Sequence, residues 1–492
     1  MSETKKTPVM LWVNVAIGLS IMVLFPMLPP IAPITKVGMS VMGAFLGMVF
    51  LWSTVEMIWP SMLGLLLIAL SGYTGDVVGY AALKLVMKEA FGSDTMVGLT
   101  FAMILFGGVE YVGCTKYFIH FFMTRKIING RPYVMLFMFL LSSLLLAGLT
   151  NPIASLLILW PIGAELMQEF GYQKGDKAFY SVIVGVMLAA AFGQPMFPFK
   201  GAAMIVVSAY EKMTSTQVPV LTYVAYNLIM SMLMLLSYLG ILKFVIRPDM
   251  TALKNVTTEQ FEKTKLPPMN RKQKGFMITV AAYIIVMILP CVLPTSWLLV
   301  KTINRMGIIG INMTCIIILM LLRENGEPLL DFRGIAKKSF NWNTYMLVAA
   351  AIFGANAVSN DITGIKPFLV QSLQPFLGNK PDIVFVLLIL GFALITTNFA
   401  NNAGMAVVIL PVIIAFAEQY PAIPTVALSM AVIMMVFVAV LTPAASPWAG
   451  MLFGRKDLVS AKEIVSIGLP MCLIALLFYV LIGFPLAKMM FV

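Results

Sequence analysis

The chain has little charge and few of the side chains that catalysis and metal binding need. Charged residues make up 11% of its 492 residues, whereas about 25% is usual in a soluble domain. The chain has one histidine, His120, and its four cysteines lie far apart at 114, 291, 315 and 472. Such spacing fits neither a zinc cluster nor a disulfide framework. We therefore expect no catalytic residue, no metal site and no enzyme activity.

Apolar residues dominate the sequence instead. They form 60% of the chain, and the mean hydropathy is +0.96. Long apolar runs such as 11–31, 221–246 and 464–486 approach or exceed the roughly 20 residues needed to cross a bilayer. The composition predicts an all-α polytopic membrane protein with about 10–11 spans.

Basic residues indicate how the chain is oriented. The net charge of +12 comes mostly from Lys and Arg between the apolar runs, so it favours a topology signal over nucleic-acid binding. Lys5, Lys6 and the basic segment 248–274 are expected on the cytoplasmic side. We predict a multi-pass protein of the cytoplasmic (inner) membrane with a cytoplasmic N-terminus. The lipid bilayer is then a partner, and nucleic acid is not.

The two halves of the chain repeat the same features in the same order. Asn151 and Pro161 are ten residues apart, as are Asn401 and Pro411. Because each half has an odd number of crossings, the halves are expected to be inverted repeats, a pattern typical of secondary transporters with a midplane substrate site. The matched stretches are 91–113 with 340–364, 149–162 with 399–413, and 192–204 with 441–452. The predicted divisions are an N-terminal helix (1–36), repeat 1 (37–247), a cytoplasmic linker (248–274) and repeat 2 (275–492).

Two matched asparagine motifs interrupt apolar runs. "LTNP" and "NFANNAG" contain helix breakers and N-cap residues, so each predicts a break followed by a new helix. The new helix N-terminus suits an anion such as a carboxylate. Carbonyl, amide and hydroxyl oxygens before the break suit a small cation such as sodium. The alternative is that these side chains only join helices by hydrogen bonds.

A second matched pair of segments is rich in glycine and proline. "GQPMFPFKG" (193–201) and "TPAASPWAG" (442–450) cannot run as regular helices, so they are predicted to line a cavity as unwound chain. Lys200 stands where repeat 2 has Ala449. Its ammonium group could pair with a substrate carboxylate, replace a bound sodium ion, or snorkel to the interface.

Three acidic residues leave a different mechanism open. A cation/proton antiporter needs a titrating carboxylate within the membrane, and Glu56, Glu110 and Asp361 are the candidates. The sequence shows no paired-carboxylate motif around them. Antiport therefore stays the alternative to anion transport.

These motifs resemble the divalent anion:sodium symporter family. "FNWNTYMLVAAAIFGANAVSNDITG" looks like its Trp-containing re-entrant hairpin, "NFANNAGMAVVILPVI" is similar to its Ser-Asn-Thr hairpin tip, and "TPAASPWAGMLFG" looks like its Thr-Pro-Pro-Asn segment. The family's Ser-Asn-Thr falls on Asn401, Asn402 and Ala403, so only the central asparagine matches. Family members use these side chains to contact sodium and a substrate carboxylate. Repeat 2 therefore lacks the two hydroxyl groups of the family motif.

The resemblance implies a dimeric, elevator-type carrier of dicarboxylates or tricarboxylates such as citrate, working as a sodium symporter or a sodium-independent exchanger. Sodium would be a coupling ion, and no other cofactor is expected. The predicted substrate-binding residues are Thr150, Asn151, Pro152, Lys200, Asn401, Asn402, Ala403, Thr442, Pro443 and Ser446. The predicted cation-binding residues are Asn151, Gly193, Asn398, Asn402 and Ala445.

Overall fold

The computed structural model describes residues 8–150, 152–198, 201–255, 267–399, 402–443 and 445–491. These ranges are mostly helical, with one small antiparallel pair, β1 (Arg323–Glu324) and β2 (Glu327–Pro328). The helices of the first half are α1 (Pro8–Leu24), α2 (Lys36–Thr54), α3 (Ile58–Leu70), α4 (Gly79–Phe91), α5 (Asp94–Tyr111), α6 (Thr115–Met123), α7 (Pro132–Leu149), α8 (Pro152–Glu169), α9 (Lys177–Gly193), α10 (Gly201–Thr214) and α11 (Val220–Ile241). Those of the second half are α12 (Arg271–Val292), α13 (Leu298–Leu321), α14 (Phe332–Ser339), α15 (Trp342–Ser359), α16 (Ile365–Leu377), α17 (Asp382–Thr397), α18 (Asn402–Ala415), α19 (Thr425–Val436), α20 (Pro447–Gly454), α21 (Ala461–Phe478) and α22 (Phe484–Met490).

The helices have the length and composition of membrane spans. Within the described residues, eight are long and apolar enough to cross a bilayer, and the number rises to ten if each of two bent helix pairs is one span. Long helices at the periphery, such as α1 and α13, bury only a minority of their apolar windows. Their exposed apolar side chains suit contact with lipid. The expected polytopic all-α fold is confirmed.

Equivalent helices follow one another in the two halves. Helices α5 and α15 both contain 18 residues and both begin at a side-chain cap, Ser93 and Asn341. Helices α7 to α11 correspond in order to α17 to α21. The last helix of each series passes into a π-helical segment, at 242–246 and 479–483. The fold therefore consists of two inverted-topology repeats, as the sequence predicts.

Helices α7 and α8 form the first hairpin (132–169). The hydroxyl oxygens of Ser143 and Ser155 lie 3.0 Å apart, whereas twelve residues of continuous helix would separate them by about 18 Å. A Cβ atom added at Gly163 would lie 3.2 Å from the ring of Phe139, so the helices pack closely along their length. The break at Thr150 therefore reverses the chain.

Helices α17 and α18 form the second hairpin (382–415). The ring centroids of Phe385 and Phe416 are 5.9 Å apart, although 31 residues of continuous helix would span about 46 Å. Tyr420 stacks on Phe385 with centroids 4.1 Å apart. These rings close the open end of the hairpin, and the tip lies at its opposite end, around 398–402.

The stretch 340–364, which resembles a re-entrant hairpin, forms one helix and the chain break that follows it at 360–364. The side chain of Asn341 accepts a hydrogen bond from the Thr344 backbone at 3.0 Å, so the "NWN" motif caps the start of this helix. Helix α15 then runs unbroken to Ser359. The amphipathic helix α16 follows, and it meets α17 at an angle of 110°. The hairpins of the two repeats are α7–α8 and α17–α18.

Each repeat also contains a broken helix that reaches the other repeat. Helix α9 ends at Gly193, a 3-10 turn follows at 194–196, and α10 resumes at Gly201. In the second repeat, α19 ends at Val436 and α20 starts at Pro447. Helix α10 packs on α18 of the second hairpin, and α20 packs on α8 of the first. The hairpins and broken helices thus form one central unit.

Candidate functional site

The tip of the second hairpin is attached to the second helix break by Asn398. Its amide oxygen accepts hydrogen bonds from the backbone nitrogens of Val440 at 3.0 Å and Leu441 at 2.8 Å. Its amide nitrogen donates to the carbonyl oxygens of Leu394 at 2.8 Å and Val438 at 3.2 Å. The residue is 2% exposed, so these bonds satisfy backbone groups that water does not reach.

Two threonines extend this attachment. The hydroxyl of Thr397 donates to the carbonyl oxygen of Val436 at 2.6 Å, and the hydroxyl of Thr442 donates to the carbonyl oxygen of Asn398. The chain between Val436 and Pro447 forms no continuous helix in its described residues. Its freed N–H and C=O groups must find partners at membrane depth, and the tip residues supply several of them.

Ser446 begins the helix that follows the second break. Its hydroxyl oxygen accepts from the backbone nitrogen of Ala449 at 3.1 Å, and the hydroxyl donates to the carbonyl oxygen of Ala439 at 3.2 Å. Pro447 then takes the first helical position, which needs no N–H donor. Ser446 and Ala445 are both buried, whereas Pro443 is exposed. The predicted interruption of the helix at 442–450 is present, but the segment is helical again from Pro447.

Asn402 differs from its neighbour Asn398 in having no hydrogen-bond partner among the described residues. It is the first residue of α18 and is 3% exposed, yet within that part of the chain neither its amide oxygen nor its amide nitrogen makes a hydrogen bond. A buried polar group without a partner costs about 1–3 kcal/mol. An uncompensated amide at the tip of a membrane-embedded hairpin is therefore a candidate ligand-binding group.

The tip of the first hairpin has a different local structure. The hydroxyl of Thr150 donates to the carbonyl oxygen of Leu146 at 2.8 Å. Helix α8 begins directly at Pro152, which is buried. The expected helix start is thus present.

In the part of the first repeat that the structure describes, the hairpin and the helix break are held together by close backbone contact at glycines, and not by an asparagine side chain as in the second repeat. A Cβ atom added at Gly193 would lie 1.9 Å from the carbonyl oxygen of Leu144, and one added at Gly148 would lie 3.1 Å from the carbonyl oxygen of Gly193. The end of α9 therefore approaches α7 backbone to backbone. Gly193, a predicted cation ligand, lies at this contact beside the hairpin.

Several predicted site residues cannot be placed. Asn151, Lys200 and Asn401 lie outside the described residues, and of Ala403 only its position in α18 is described. The structure brings together Asn398, Thr442 and Ser446 around the second break. It places Thr150, Pro152 and Gly193 near the corresponding elements of the first repeat.

Two serines that the sequence did not single out hold the first broken helix, α9: Ser143 from α7 of the first hairpin and Ser231 from α11. Ser143 donates to the carbonyl oxygen of Val186 at 2.9 Å, and Ser231 donates to the carbonyl oxygen of Phe192 at 2.7 Å. The only feature of the sequence that could have indicated these serines is that each is a small polar residue inside a long apolar run.

The three candidate carboxylates lie in different surroundings. Both carboxylate oxygens of Glu56 accept backbone N–H groups, from Ile58 at 3.2 Å and Trp59 at 3.0 Å, at the start of α3. Glu110 and Asp361 are exposed. In the described part of the chain, no acidic residue is fully buried, and no three His, Cys, Asp or Glu side chains cluster as metal ligands.

A charged pair lies just beyond α20. The guanidinium of Arg455 contacts the carboxylate of Asp457 at 2.7 Å, and this hydrogen bond lowers the pKa of Asp457 below its usual value. The pair is partly solvent-exposed, so its contribution to stability is small. It marks the end of the α20 helix that packs on the first hairpin.

Comparison with known proteins agrees with this architecture. Residues 9–492 match the model of the family described as the sodium:sulfate symporter transmembrane region. An uncharacterized transporter of Haemophilus influenzae is 20% identical over 71% of this chain and 72% of its own length. An uncharacterized transporter of Methanocaldococcus jannaschii is 26% identical over 27% of this chain and 29% of its own length.

Two solved transporters have a similar fold. The Alcanivorax borkumensis YdaH transporter matches with a TM-score of 0.51 and 15% identity, over 83% of this chain and 89% of that one. Neisseria gonorrhoeae MtrF matches with a TM-score of 0.52 and 13% identity, over 99% of this chain and 95% of that one. The sequence resemblance is confirmed, and the family match covers nearly the whole chain. This protein belongs to the sodium:sulfate symporter family and is a secondary transporter.

Proposed function

We propose that the protein carries a small organic anion, a dicarboxylate or tricarboxylate, across the cytoplasmic membrane. The observation that carries the proposal is the unpartnered amide of Asn402 at the tip of the second hairpin. An amide nitrogen can donate to a substrate carboxylate, and the amide oxygen can bind a coupling cation. The partial positive charge at the start of α18 favours the same anion.

Anionic substrates also suit the rest of the central unit. The hairpins and broken helices place the N-termini of α8, α18 and α20 on elements that pack together. Each N-terminus has a partial positive charge from the helix dipole. Lys200, Asn151 and Asn401 belong to these tips and breaks in the sequence, and we retain them as candidate substrate contacts.

Elevator-type movement is the expected transport mechanism. Asn398, Thr397 and Thr442 join the second hairpin to the second break by hydrogen bonds. Helices α10 and α20 then join each break to the opposite hairpin. Elements linked in this way would move as one body past the peripheral helices, and we expect a homodimer to supply a fixed frame.

The coupling ion distinguishes two forms of this mechanism. Sodium symport requires oxygen ligands at the tips, whereas a sodium-independent exchanger could use the fixed charge of Lys200. We therefore propose to test both forms together. Cation/proton antiport has less support, because Glu56 caps α3 while Glu110 and Asp361 are exposed and a proton relay needs a carboxylate inside the membrane.

The test is uptake by purified protein in proteoliposomes, with and without a sodium gradient. The panel contains succinate, citrate and sulfate, with monocarboxylates as controls. An antimetabolite belongs in the panel too, because MtrF is described as one of a class of antimetabolite efflux pumps. Saturable uptake of a dicarboxylate or tricarboxylate supports the proposal, and uptake of none of them contradicts it.

A further inference from the structure

A groove lies outside the central unit, between α16 and the far end of the second hairpin. It has a volume of about 480 Å³, within the range of small-molecule sites. The chain segments that form it are the start and middle of α16 and the turn after α18. Its lining residues are Lys366, Pro367, Val370, Gln371, Gln374, Ala415 and Glu418.

Helix α16, which forms one wall of this groove, is bent away from the hairpin helix that follows it. Helix α16 meets α17 at 110°, so it runs across the direction of the neighbouring hairpin helix. Its Ile365 is buried, whereas Gln371 and Ser372 are exposed. A short helix with apolar contacts on one side and polar side chains on the other is typical of the membrane interface.

The groove holds one group of each charge. Lys366 belongs to α16, and Glu418 belongs to the turn that follows the second hairpin. Neither residue takes part in an ion pair among the described residues. A ligand with one anionic and one cationic group would complement both side chains, whereas a purely anionic ligand would face the Glu418 carboxylate.

An apolar path leads away from the same place. The nearby start of α17 exposes Ile383 at 52% and Leu387 at 40%. Apolar side chains at this depth suit acyl chains. The adjacent groove wall, with Val370, Pro367 and Ala415, is also largely apolar. The surroundings therefore suit a lipid more than a soluble metabolite.

We propose that the groove binds the headgroup of a zwitterionic phospholipid with a primary ammonium, that is, a phosphatidylethanolamine. The phosphate faces Lys366, the ammonium faces Glu418, and the acyl chains follow the exposed side of α17. The primary ammonium can donate three hydrogen bonds to the carboxylate and nearby amides, which a trimethylated ammonium cannot do.

A headgroup in this position would bridge two elements that already touch. Gln419 donates to the amide oxygen of Gln374 at 2.9 Å, and the hydroxyl of Tyr420 donates to the carbonyl oxygen of Leu377. The lipid would add a second connection between α16 and the hairpin. The inference concerns lipid recognition alone and does not depend on the transported substrate.

The experiment is native mass spectrometry of the full-length protein titrated with phosphatidylethanolamine, phosphatidylcholine or phosphatidylglycerol of the same acyl chains. Lys366→Gln and Glu418→Gln are compared with the wild type. Lys84→Gln and Glu89→Gln, two exposed residues of α4, are the matched controls. Glycerophosphoethanolamine, the headgroup without acyl chains, is tested as a soluble competitor.

The wild type should retain phosphatidylethanolamine over the other two lipids, and each groove variant should weaken that retention about fivefold. Glu418→Gln should also remove the preference over phosphatidylglycerol, because the repelling carboxylate is gone. Equal retention of all three lipids by the wild type would overturn the proposal, as would groove variants that behave like the α4 controls. Binding of the soluble headgroup as tightly as the lipid would exclude the lipid assignment.

Discussion

The amide oxygen of Asn398 lies 2.8 Å from the backbone nitrogen of Leu441 and accepts its hydrogen. This contact joins a hairpin tip to a broken helix across 43 residues of sequence. Four residues further along the chain, Asn402 is as deeply buried but makes no hydrogen bond to any residue that the structure describes. The two asparagines therefore have different roles, one in positioning and one available to a ligand.

Replacing Asn398 should destabilise the protein. Asn398→Ala removes the hydrogen bonds to Val440 and Leu441 and leaves their buried N–H groups without partners, at a cost on the order of 3 kcal/mol. We expect a lower unfolding temperature in detergent and a lower yield of folded protein. Asn398→Asp keeps an oxygen that can accept from both N–H groups but loses the amide N–H donor. Comparing it with Asn398→Ala therefore separates the effect of losing the acceptor from the effect of losing the donor. An unchanged melting curve for Asn398→Ala would contradict the positioning role.

Gly193 should tolerate no side chain. A Cβ atom there would lie 1.9 Å from the carbonyl oxygen of Leu144, a backbone atom that cannot rotate away. We expect Gly193→Ala to cost at least 1–3 kcal/mol by overpacking. Gly391→Ala in α17, where the added atom meets nothing within 4 Å, is the control. The comparison uses the thermal unfolding of both variants, and equal stability would show that α9 and α7 do not approach so closely.

The reversal of the chain at the first hairpin predicts a cross-link. Since the hydroxyl oxygens of Ser143 and Ser155 lie 3.0 Å apart, the double variant Ser143→Cys, Ser155→Cys should form a disulfide on mild oxidation. Mass spectrometry of proteolytic fragments detects it, and the single-cysteine variants serve as controls. A continuous helix would hold the two sulfurs about 18 Å apart, so absence of the disulfide would argue against the hairpin.

Neutralising the three candidate carboxylates should leave anion transport intact. Glu56→Gln, Glu110→Gln and Asp361→Asn remove charges that lie at a helix start or on the surface. The initial rate of anion uptake is measured at several values of pH. Proton flux is followed in the same samples with a pH-sensitive dye. Loss of proton-coupled flux in any of these variants would favour the cation/proton antiporter.

Much of this fold can be predicted from the sequence, because a feature found in one repeat can be checked at the matching position of the other. Matched Asn, Gly and Pro segments identify the breaks, and Pro152 and Pro447 do begin helices. The few residues at a break do not determine the direction that the chain takes after it. "LTNP" permits a kink or a reversal, and packing between Ser143 and Ser155 selects the reversal.

The different roles of Asn398 and Asn402 also could not be predicted from the sequence. Asn398 and Asn402 lie in one short polar motif, and only three-dimensional contacts distinguish the one held by Val440 and Leu441 from the one without partners. The course of the chain at 340–364, one helix and then a break, could not be read from its asparagines for a related reason. An asparagine before a helix and an asparagine at a hairpin tip have the same local sequence preference, because both cap free N–H groups.

The most direct test of the account is anion uptake by Asn402→Ala in proteoliposomes. Because Asn402 makes no hydrogen bond within the described structure, its removal should leave the unfolding temperature unchanged or raise it slightly. Asn312→Ala is the matched control, because Asn312 on α13 is also buried and its amide also makes no hydrogen bond within the described structure, but it lies away from the hairpin tip. We predict that Asn402→Ala lowers uptake of the carboxylate at least tenfold while Asn312→Ala transports near the wild-type rate, a difference of about 1.4 kcal/mol or more. Uptake by a folded Asn402→Ala protein at the wild-type rate would contradict the assignment of the site.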